Sequence, residues 1–184
     1  MLTINFHHFN FYEMALRKPI NIKKWIDENR HLLKPPVGNK VVWEDADFII
    51  MVVGGPNSRK DFHYNESEEF FYQLEGNVIV NVQYEGKKVE VPINEGEIYL
   101  LPPKVPHNPV RGENTVGLVI EQKRKENQQD GLLWFCEKCN HKLYDEYFKL
   151  NNIMTQFQDV FKRFYGNEEL RTCKNCNHVM QVPK

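Results

Sequence analysis

Short apolar segments separated by turn-forming residues dominate the middle of this 184-residue chain. Runs rich in Val, Ile, Phe and Tyr alternate with Gly, Asn and Pro turn signals roughly every ten residues. We predict strands over residues 41–43, 48–53, 70–74, 78–84, 88–92, 98–101 and 116–121. Many short strands at this spacing are typical of a sandwich or barrel and not of a fold that alternates strands with helices. The chain is therefore predicted to be mainly β.

A helical pattern lies on each side of the predicted strands. The first covers residues 21–33, with Asn21 as the N-cap, and ends at Pro35 and Pro36. The second has apolar residues at spacings of three and four and ends before Gly166. Its apolar face, which we expect to pack on the β domain, consists of Leu150, Ile153, Met154, Phe157, Val160, Phe161 and Phe164.

The segment 123–130 is polar throughout and predicts a surface linker. We therefore divide the chain into three parts. These are an N-terminal extension (1–20), a β domain with its leading helix (21–130) and a C-terminal segment (131–184).

Composition excludes several classes of protein. The 24 basic and 25 acidic residues give a net charge of −1, which argues against nucleic-acid binding by bulk electrostatics. No apolar run approaches the roughly 18 residues that a membrane-spanning helix requires. The aromatic content of 12% is too high for a disordered chain. Because the N-terminal sequence resembles neither an export signal nor an Arg-rich presequence, we expect a cytoplasmic protein with reduced thiols.

All four cysteines lie in the C-terminal segment, in two Cys-x-x-Cys pairs. Cys136 and Cys139 form the first pair, Cys173 and Cys176 the second, and each pair is followed by Asn-His. This repeat is typical of two metal knuckles, in which Asn140 and Asn177 would adopt the left-handed conformation that asparagine tolerates. Four thiolates suit a tetrahedral zinc or iron ion, so we favour a structural metal site over two redox pairs or disulfides. His141 and His178 are interpreted as flanking residues.

Two segments inside the β region contain the candidate catalytic residues. The first contains His63, Glu69 and Gly76 at spacings H-x5-E-x6-G, and the second contains Gly96, Pro102 and His107 at spacings G-x5-P-x4-H. The two segments resemble the two motifs of the cupin family. The resemblance implies a cupin fold, a double-stranded β-helix or jelly-roll barrel, here with an N-terminal helix and a C-terminal helix that carries the cysteine pairs.

The chain departs from the cupin pattern at two positions. Asn65 stands where the family has a second histidine, and Arg111 stands where it has an asparagine. His63, Glu69 and His107 remain as metal ligands. Two imidazoles and one carboxylate suit non-haem Fe(II) and O₂ chemistry, because positions stay open for substrate and oxygen. Strand alternation and the spacing to Gly76 favour Glu69 over its neighbour Glu68 as the carboxylate ligand.

Three further charged residues flank the motifs, namely Arg59, Arg111 and Glu121. A charge inside a barrel is unfavourable unless it is paired or contacts a ligand. The guanidinium of Arg111 can bind a substrate carboxylate through two hydrogen bonds. For each of the three residues, a position on the surface is the alternative.

The residues that border these sites resemble the 3-hydroxyanthranilate 3,4-dioxygenase family. The similarity extends from about Ile22 to the second cysteine pair, and the cysteines match the short, single-cupin form of the family. The matching segments are 34–39, 53–57, 59–63, 68–72, 100–102, 105–109 and 115–121.

The resemblance implies a specific reaction. Members of this family use Fe(II) and both atoms of O₂ to open the ring of 3-hydroxyanthranilate. The product, 2-amino-3-carboxymuconate 6-semialdehyde, cyclises to quinolinate, a precursor of NAD made from tryptophan in the kynurenine pathway. A homodimer is also implied.

The resemblance also assigns a role to each candidate residue. His63, Glu69 and His107 would bind iron, and Glu69 would also contact the substrate. Arg59 would border the oxygen side, while Arg111 and Glu121 would hold the substrate.

Two alternatives remain open. One is another cupin enzyme with the same triad, such as a thiol dioxygenase or an isomerase. The other is a non-catalytic cupin that binds a small acid, for which Arg59, Arg111 and Glu121 together would not be needed.

Overall fold

The computed structural model describes residues 16–35, 38–150 and 153–183, without the side chains of residues 153–155. The helices in these ranges are α1 (Ile22–Asn29), α2 (Ile153–Tyr165) and α3 (Glu168–Arg171). The strands are β1 (Asn39–Val41), β2 (Phe48–Gly54), β3 (Phe62–Tyr64), β4 (Glu69–Glu75), β5 (Val78–Tyr84), β6 (Lys87–Ile93), β7 (Ile98–Leu101), β8 (His107–Arg111), β9 (Val116–Gln122), β10 (Asp130–Phe135) and β11 (Lys142–Phe148).

Two antiparallel sheets enclose the main apolar core. One sheet has the order β1-β2-β9-β4-β7, and the other has the order β11-β10-β3-β8-β5-β6. The core between them contains Phe71, Val78, Val80, Val82, Ile93, Leu101 and Val119. Neighbouring strands are often distant in sequence, as in a jelly roll, and the predicted fold class is confirmed. Among the described residues, no helix has the length and apolarity needed to cross a membrane.

The first helix begins where the sequence predicts. The side-chain oxygen of Asn21 accepts a hydrogen bond from the backbone N–H of Lys24, 3.1 Å away, and caps the first turn. The α-helix ends at Asn29, and a 3-10 turn continues to Leu32. Pro36, part of the predicted stop, lies outside the described residues. The buried contacts of this segment with the five-stranded sheet involve Ile26, Leu33, Val52 and Val116.

All seven predicted strands are present, with ends shifted by at most two residues. Strands β3, β8, β10 and β11 were not predicted. Strand β3 is too short, at three residues, to give a clear sequence pattern. Strand β8 contains Pro109, and proline argues against a strand inside a sheet. Both strands are held by their neighbours in the six-stranded sheet, so they depend on tertiary pairing.

The predicted surface position of the linker 123–130 is wrong for Arg124 and Asp130. Asp130 has no exposed surface and begins β10, and the side chain of Arg124 is 7% exposed. Both polar side chains are buried because they pair with each other. The division between residues 130 and 131 falls inside β10, which pairs with β3 on one side and β11 on the other.

The C-terminal helix packs on the end of the six-stranded sheet. The indole of Trp134 in β10 stacks on Phe164 of α2, with ring centroids 4.2 Å apart. Phe157 and Val160 of the helix are buried in the same apolar cluster as Trp134 and Phe164, which confirms the predicted apolar face at these positions. The side chains of Ile153 and Met154 lie outside the described residues.

Candidate active site and cysteine cluster

Three different strands bring the predicted triad together inside the sandwich. His63 lies on β3 and His107 on β8, and the two residues are paired across the sheet. Glu69 is the first residue of β4 in the opposite sheet. One potential ligand atom from each of the three side chains lies within 4.8 Å of the other two. Glu68 is exposed, so the geometry favours Glu69, as predicted.

Hydrogen bonds fix the orientation of His107 and Glu69. His107 Nε2 is 2.9 Å from Glu69 Oε2, and His107 Nδ1 is 3.1 Å from the carbonyl oxygen of Val105. Burial opposes ionisation of Glu69, but the adjacent His107 outweighs it and lowers the pKa of the carboxyl group below its usual range. Burial likewise opposes protonation of His107, and Glu69 outweighs it, raising the pKa of the imidazole.

The donor set fits a metal ion. Two imidazole nitrogens and one carboxylate oxygen are the ligands that non-haem iron takes in dioxygenases. Asn65, at the position where cupins have another histidine, donates from Nδ2 to Glu69 Oε2 and Glu121 Oε2, both 3.3 Å away. This residue therefore positions two carboxylates.

Arg111 lies buried inside the sandwich with an incomplete set of hydrogen bonds. Its Nη1 donates to Gln73 Oε1, 3.0 Å away, while its Nε has no partner among the described residues. Gly117 leaves room for the guanidinium, because a Cβ there would lie 2.8 Å from Arg111 Nη1. Burial lowers the pKa of Arg111 to about 10, so the group stays charged at neutral pH. A buried cation with an unpaired donor suits an anionic ligand.

Glu121 lies beside Glu69 on neighbouring strands. The two residues are paired in the register of β9 and β4, and Glu121 is 3% exposed. Burial, together with the negative charge of Glu69, raises the pKa of Glu121, and Arg124 opposes this shift. The alternative of a surface position is therefore wrong for Glu121, as it is for Arg111.

Arg59 makes its hydrogen bonds outside the triad. Its guanidinium pairs with the buried carboxylate of Asp61 and lies over the rings of Phe157 and Phe161, at 5.7 and 5.6 Å from their centroids. Its side chain is 47% exposed. In this conformation Arg59 makes no hydrogen bond to His63 or the other triad residues.

Two charged residues at this site were missed by sequence reasoning. Asp130 Oδ1 lies 2.7 Å from His63 Nε2, and Arg124 forms hydrogen bonds with both Asp130 and Glu121. The available signal was an isolated acid at the start of the apolar run 131–135. That signal was masked by the polar residues before it.

The four cysteines also converge, in two matching knuckles. The Sγ atoms of Cys136 and Cys176 are 3.5 Å apart, as are those of Cys139 and Cys173, and all four lie within 4.8 Å of one another. A tetrahedral zinc ion with bonds of about 2.3 Å places its sulfur atoms roughly 3.8 Å apart. The four thiolates therefore fit one metal ion.

The predicted asparagine conformation is confirmed in both knuckles. Asn140 has a φ of 57° and Asn177 a φ of 59°, both in the left-handed region. Asn140 also exchanges two side-chain hydrogen bonds with Gln83 of β5, at 2.8 and 2.9 Å. The first knuckle is thereby attached to the sandwich.

A cleft of about 610 Å³ lies between the first knuckle and the sandwich. Its walls include Arg59, Asn81, Asn108 and Lys138. Arg59 lines this cleft, and no residue of the His/Glu triad does.

A family model and the sequences of known proteins match this chain over most of its length and name the same enzyme family. The model of a family described as 3-hydroxyanthranilic acid dioxygenase matches residues 14–165. A 3-hydroxyanthranilate 3,4-dioxygenase from Xanthomonas euvesicatoria pv. vesicatoria (strain 85-10) is 57% identical over 166 residues, 90% of this chain and 94% of the relative. One from Bacillus thuringiensis (strain Al Hakam) is 48% identical over 161 residues, 87% of this chain and 90% of the relative.

Among solved structures, a cupin-2 domain containing protein from Shewanella frigidimarina is similar to this chain. The similarity has a TM-score of 0.46 at 20% sequence identity and covers 56% of this chain and 94% of that protein.

Proposed function

Because the chain belongs to the 3-hydroxyanthranilic acid dioxygenase family of ring-cleaving enzymes, we propose that His63, Glu69 and His107 bind the Fe(II) used for its reaction. The observation that carries this assignment is the convergence of the three ligand atoms within 4.8 Å of one another, beside a buried arginine with an unpaired donor. When bound, the metal supplies redox chemistry toward O₂ and a template for the substrate.

The substrate is 3-hydroxyanthranilate, and three of its groups match residues of the pocket. Its carboxylate is the ligand that the guanidinium of Arg111 lacks. Its amino and hydroxyl groups are hydrogen-bond donors, and Glu69 and Glu121 offer carboxylate acceptors side by side. We assign substrate binding to these three residues.

The reaction needs no external reductant, since both oxygen atoms of O₂ enter the ring-opened product. We place Arg59 at the oxygen side of the pocket. Its half-exposed side chain and its single carboxylate partner, Asp61, are consistent with a group that changes contacts when substrate binds.

At the second metal site we propose a structural zinc or iron ion held by Cys136, Cys139, Cys173 and Cys176. The matched backbone hydrogen bonds of the two knuckles support a rigid four-thiolate site with no position for substrate. Thiolate ligands require a reducing compartment, and we propose that the enzyme is cytoplasmic.

We also propose that the enzyme is a homodimer formed through the outer face of the five-stranded sheet. Leu100, Phe70 and Ile120 are side by side in the register of β7, β4 and β9, and Ile98, Tyr72 and Leu118 form the next row. Ile98 is 65% exposed and Leu100 52%. A contiguous apolar face of this kind favours a self-complementary contact with a second copy.

Sedimentation velocity tests the dimer. Leu100→Lys is expected to convert the protein to a monomer at micromolar concentration, because a charge would be buried in the contact. Ile79→Lys, on the outer face of the other sheet, is the matched control and should remain a dimer. A monomeric parent protein, or a dimeric Leu100→Lys variant, would contradict this interface.

The activity is tested by anaerobic loading with Fe(II), followed by 3-hydroxyanthranilate and O₂. We expect a yellow ring-opened product and one O₂ consumed per substrate. Cysteine is the control substrate, and its oxidation instead of ring opening would favour a thiol dioxygenase. Absence of both reactions from protein with metal at the triad would contradict the proposed activity.

A further inference from the structure

Asp130 is a fully buried carboxylate that contacts a proposed metal ligand. It begins β10, directly beside β3, where Leu132 pairs with His63. Asp130 Oδ1 is 2.7 Å from His63 Nε2, and the side chain of Asp130 has no exposed surface. An ionised carboxylate can only accept a hydrogen bond, so Nε2 of His63 is the donor in this pair and Nδ1 is the ring nitrogen left to face a metal ion.

Arg124 joins Asp130 to a second acidic residue of the pocket. Its Nε and Nη2 donate to the two carboxylate oxygens of Asp130, each at 2.7 Å. Its Nη1 donates to Glu121 Oε2, also at 2.7 Å. The guanidinium of Arg124 therefore binds two carboxylates, that of Asp130, which contacts His63, and that of Glu121, which we propose to bind the substrate.

The two histidines of the triad have different partners. His107 Nδ1 faces the neutral carbonyl of Val105 at 3.1 Å, whereas His63 faces the carboxylate of Asp130. A carboxylate partner fixes the orientation and tautomer of a metal-binding imidazole and raises its basicity. The His63 side of the triad therefore has a strong positioning group that the His107 side lacks.

Burying these three charged side chains has a desolvation cost that packing alone does not explain. The side chains of Arg124, Asp130 and Glu121 are each at most 7% exposed, and a buried ion pair is often no more stabilising than apolar residues of similar size. The network of these three side chains connects His63, a proposed metal ligand, to Glu121, a proposed substrate-binding residue, and this position suggests a role in the site.

We propose that Asp130 and Arg124 are positioning residues, with Asp130 orienting His63 toward the metal and Arg124 coupling that orientation to Glu121. This inference rests on the proposed function of the triad. It assigns a role to the segment between β9 and β10, since Arg124 lies within it and Asp130 directly follows it.

Metal affinity tests the inference without reliance on turnover. Protein whose cysteine site is already filled with zinc is titrated with Co(II) against a competing chelator, and the visible spectrum reports binding at the triad. Asp130→Asn is expected to bind Co(II) 10- to 100-fold more weakly. In zinc-loaded protein, ¹⁵N spectra of the histidine rings should show loss of the single His63 tautomer.

A control variant tests whether the loss of any two-bond carboxylate–guanidinium pair changes the Co(II) affinity. Glu75→Gln weakens another two-bond carboxylate–guanidinium pair, with Arg30 at 2.8 and 2.9 Å, at the far end of β4 from Glu69. This variant should keep the parent Co(II) affinity. If Asp130→Asn also keeps it, with unchanged histidine spectra, the inference is overturned. If the parent protein binds no Co(II) at the triad, the proposed function fails instead.

Arg124→Lys is the second variant, and it serves if Asp130→Asn does not fold. Lysine keeps the charge but cannot bridge Asp130 and Glu121 with three directed hydrogen bonds. We expect a several-fold loss of Co(II) affinity together with a higher KM for substrate. Substituting Glu121 by Gln in the Arg124→Lys background should then raise KM less than it does in the parent protein. Additive effects on KM would contradict the coupling through Arg124.

Discussion

The two proposed metal sites are built by opposite strategies. Residues from three strands in two sheets form the His/Glu triad, and its surroundings contain several buried charges. The cysteine cluster comes from two copies of one short local motif, and two of its four residues, Cys139 and Cys176, are exposed. The first site depends on the whole fold, while each half of the second depends mainly on its own backbone turn.

The number of potential ligands favours a catalytic role for the triad and a stabilising role for the cysteine cluster. The triad has three protein ligands beside an arginine with an unpaired donor, so it can accommodate a substrate. The cysteine cluster has four ligands, and a tetrahedral ion that binds them is already saturated. Three potential ligands beside an unpaired arginine donor favour catalysis at the triad, and four potential ligands in paired knuckles favour a structural role for the cysteine cluster.

The largest effect is expected from His107→Ala. Loss of one of three metal ligands should lower kcat by at least about 1,000-fold, because the reaction depends on the bound metal. Ring opening is followed by absorbance, and metal content is determined for each site separately. The fold should persist, as judged by circular dichroism.

His141→Ala is the control for that variant. His141 flanks the first cysteine knuckle, and loss of its side chain should leave iron at the triad and turnover near the parent values. Full activity in His107→Ala would mean that catalysis does not use the triad, and the contrast between the two sites would collapse.

Arg111→Ala is expected to have the next largest effect. The substrate carboxylate would lose a buried cationic partner, so KM should rise by roughly 10- to 100-fold with a smaller change in kcat. Steady-state kinetics at saturating O₂ measure the two constants. A change in KM of less than about twofold would contradict the carboxylate role. The methyl ester of 3-hydroxyanthranilate lacks the carboxylate charge, so its KM should differ little between the parent enzyme and the variant.

Much of the site could be predicted because its residues lie in motifs with fixed spacing. His63, Glu69 and His107 follow from those spacings, and each lies at or near a strand end that the barrel brings inward. The cysteine cluster was predictable for a different reason, since a repeated turn with a left-handed asparagine is a local property.

The residues of the site that were not predicted from the sequence depend on tertiary pairing. Asp130 and Arg124 occupy a polar stretch that predicts surface exposure, and only their mutual pairing and the contact with His63 make burial favourable. Strand β10 was not predicted either, and one of its two partners, β3, is distant in sequence, while the other, β11, is the next strand in the chain.

The smallest effect on turnover is expected from Cys173→Ser. Removing one of four thiolates should weaken metal binding at the knuckles and lower the thermal midpoint by several degrees, while kcat at 10 °C stays within about threefold of the parent value. Some effect on the triad is expected, since Phe157 of α2 contacts the His63 ring at a centroid distance of 5.5 Å. Metal content, thermal unfolding and kcat are measured on the same sample. A folded, stable and wholly inactive Cys173→Ser protein would show that the cysteine site takes part in the reaction, because stability alone would not explain the loss.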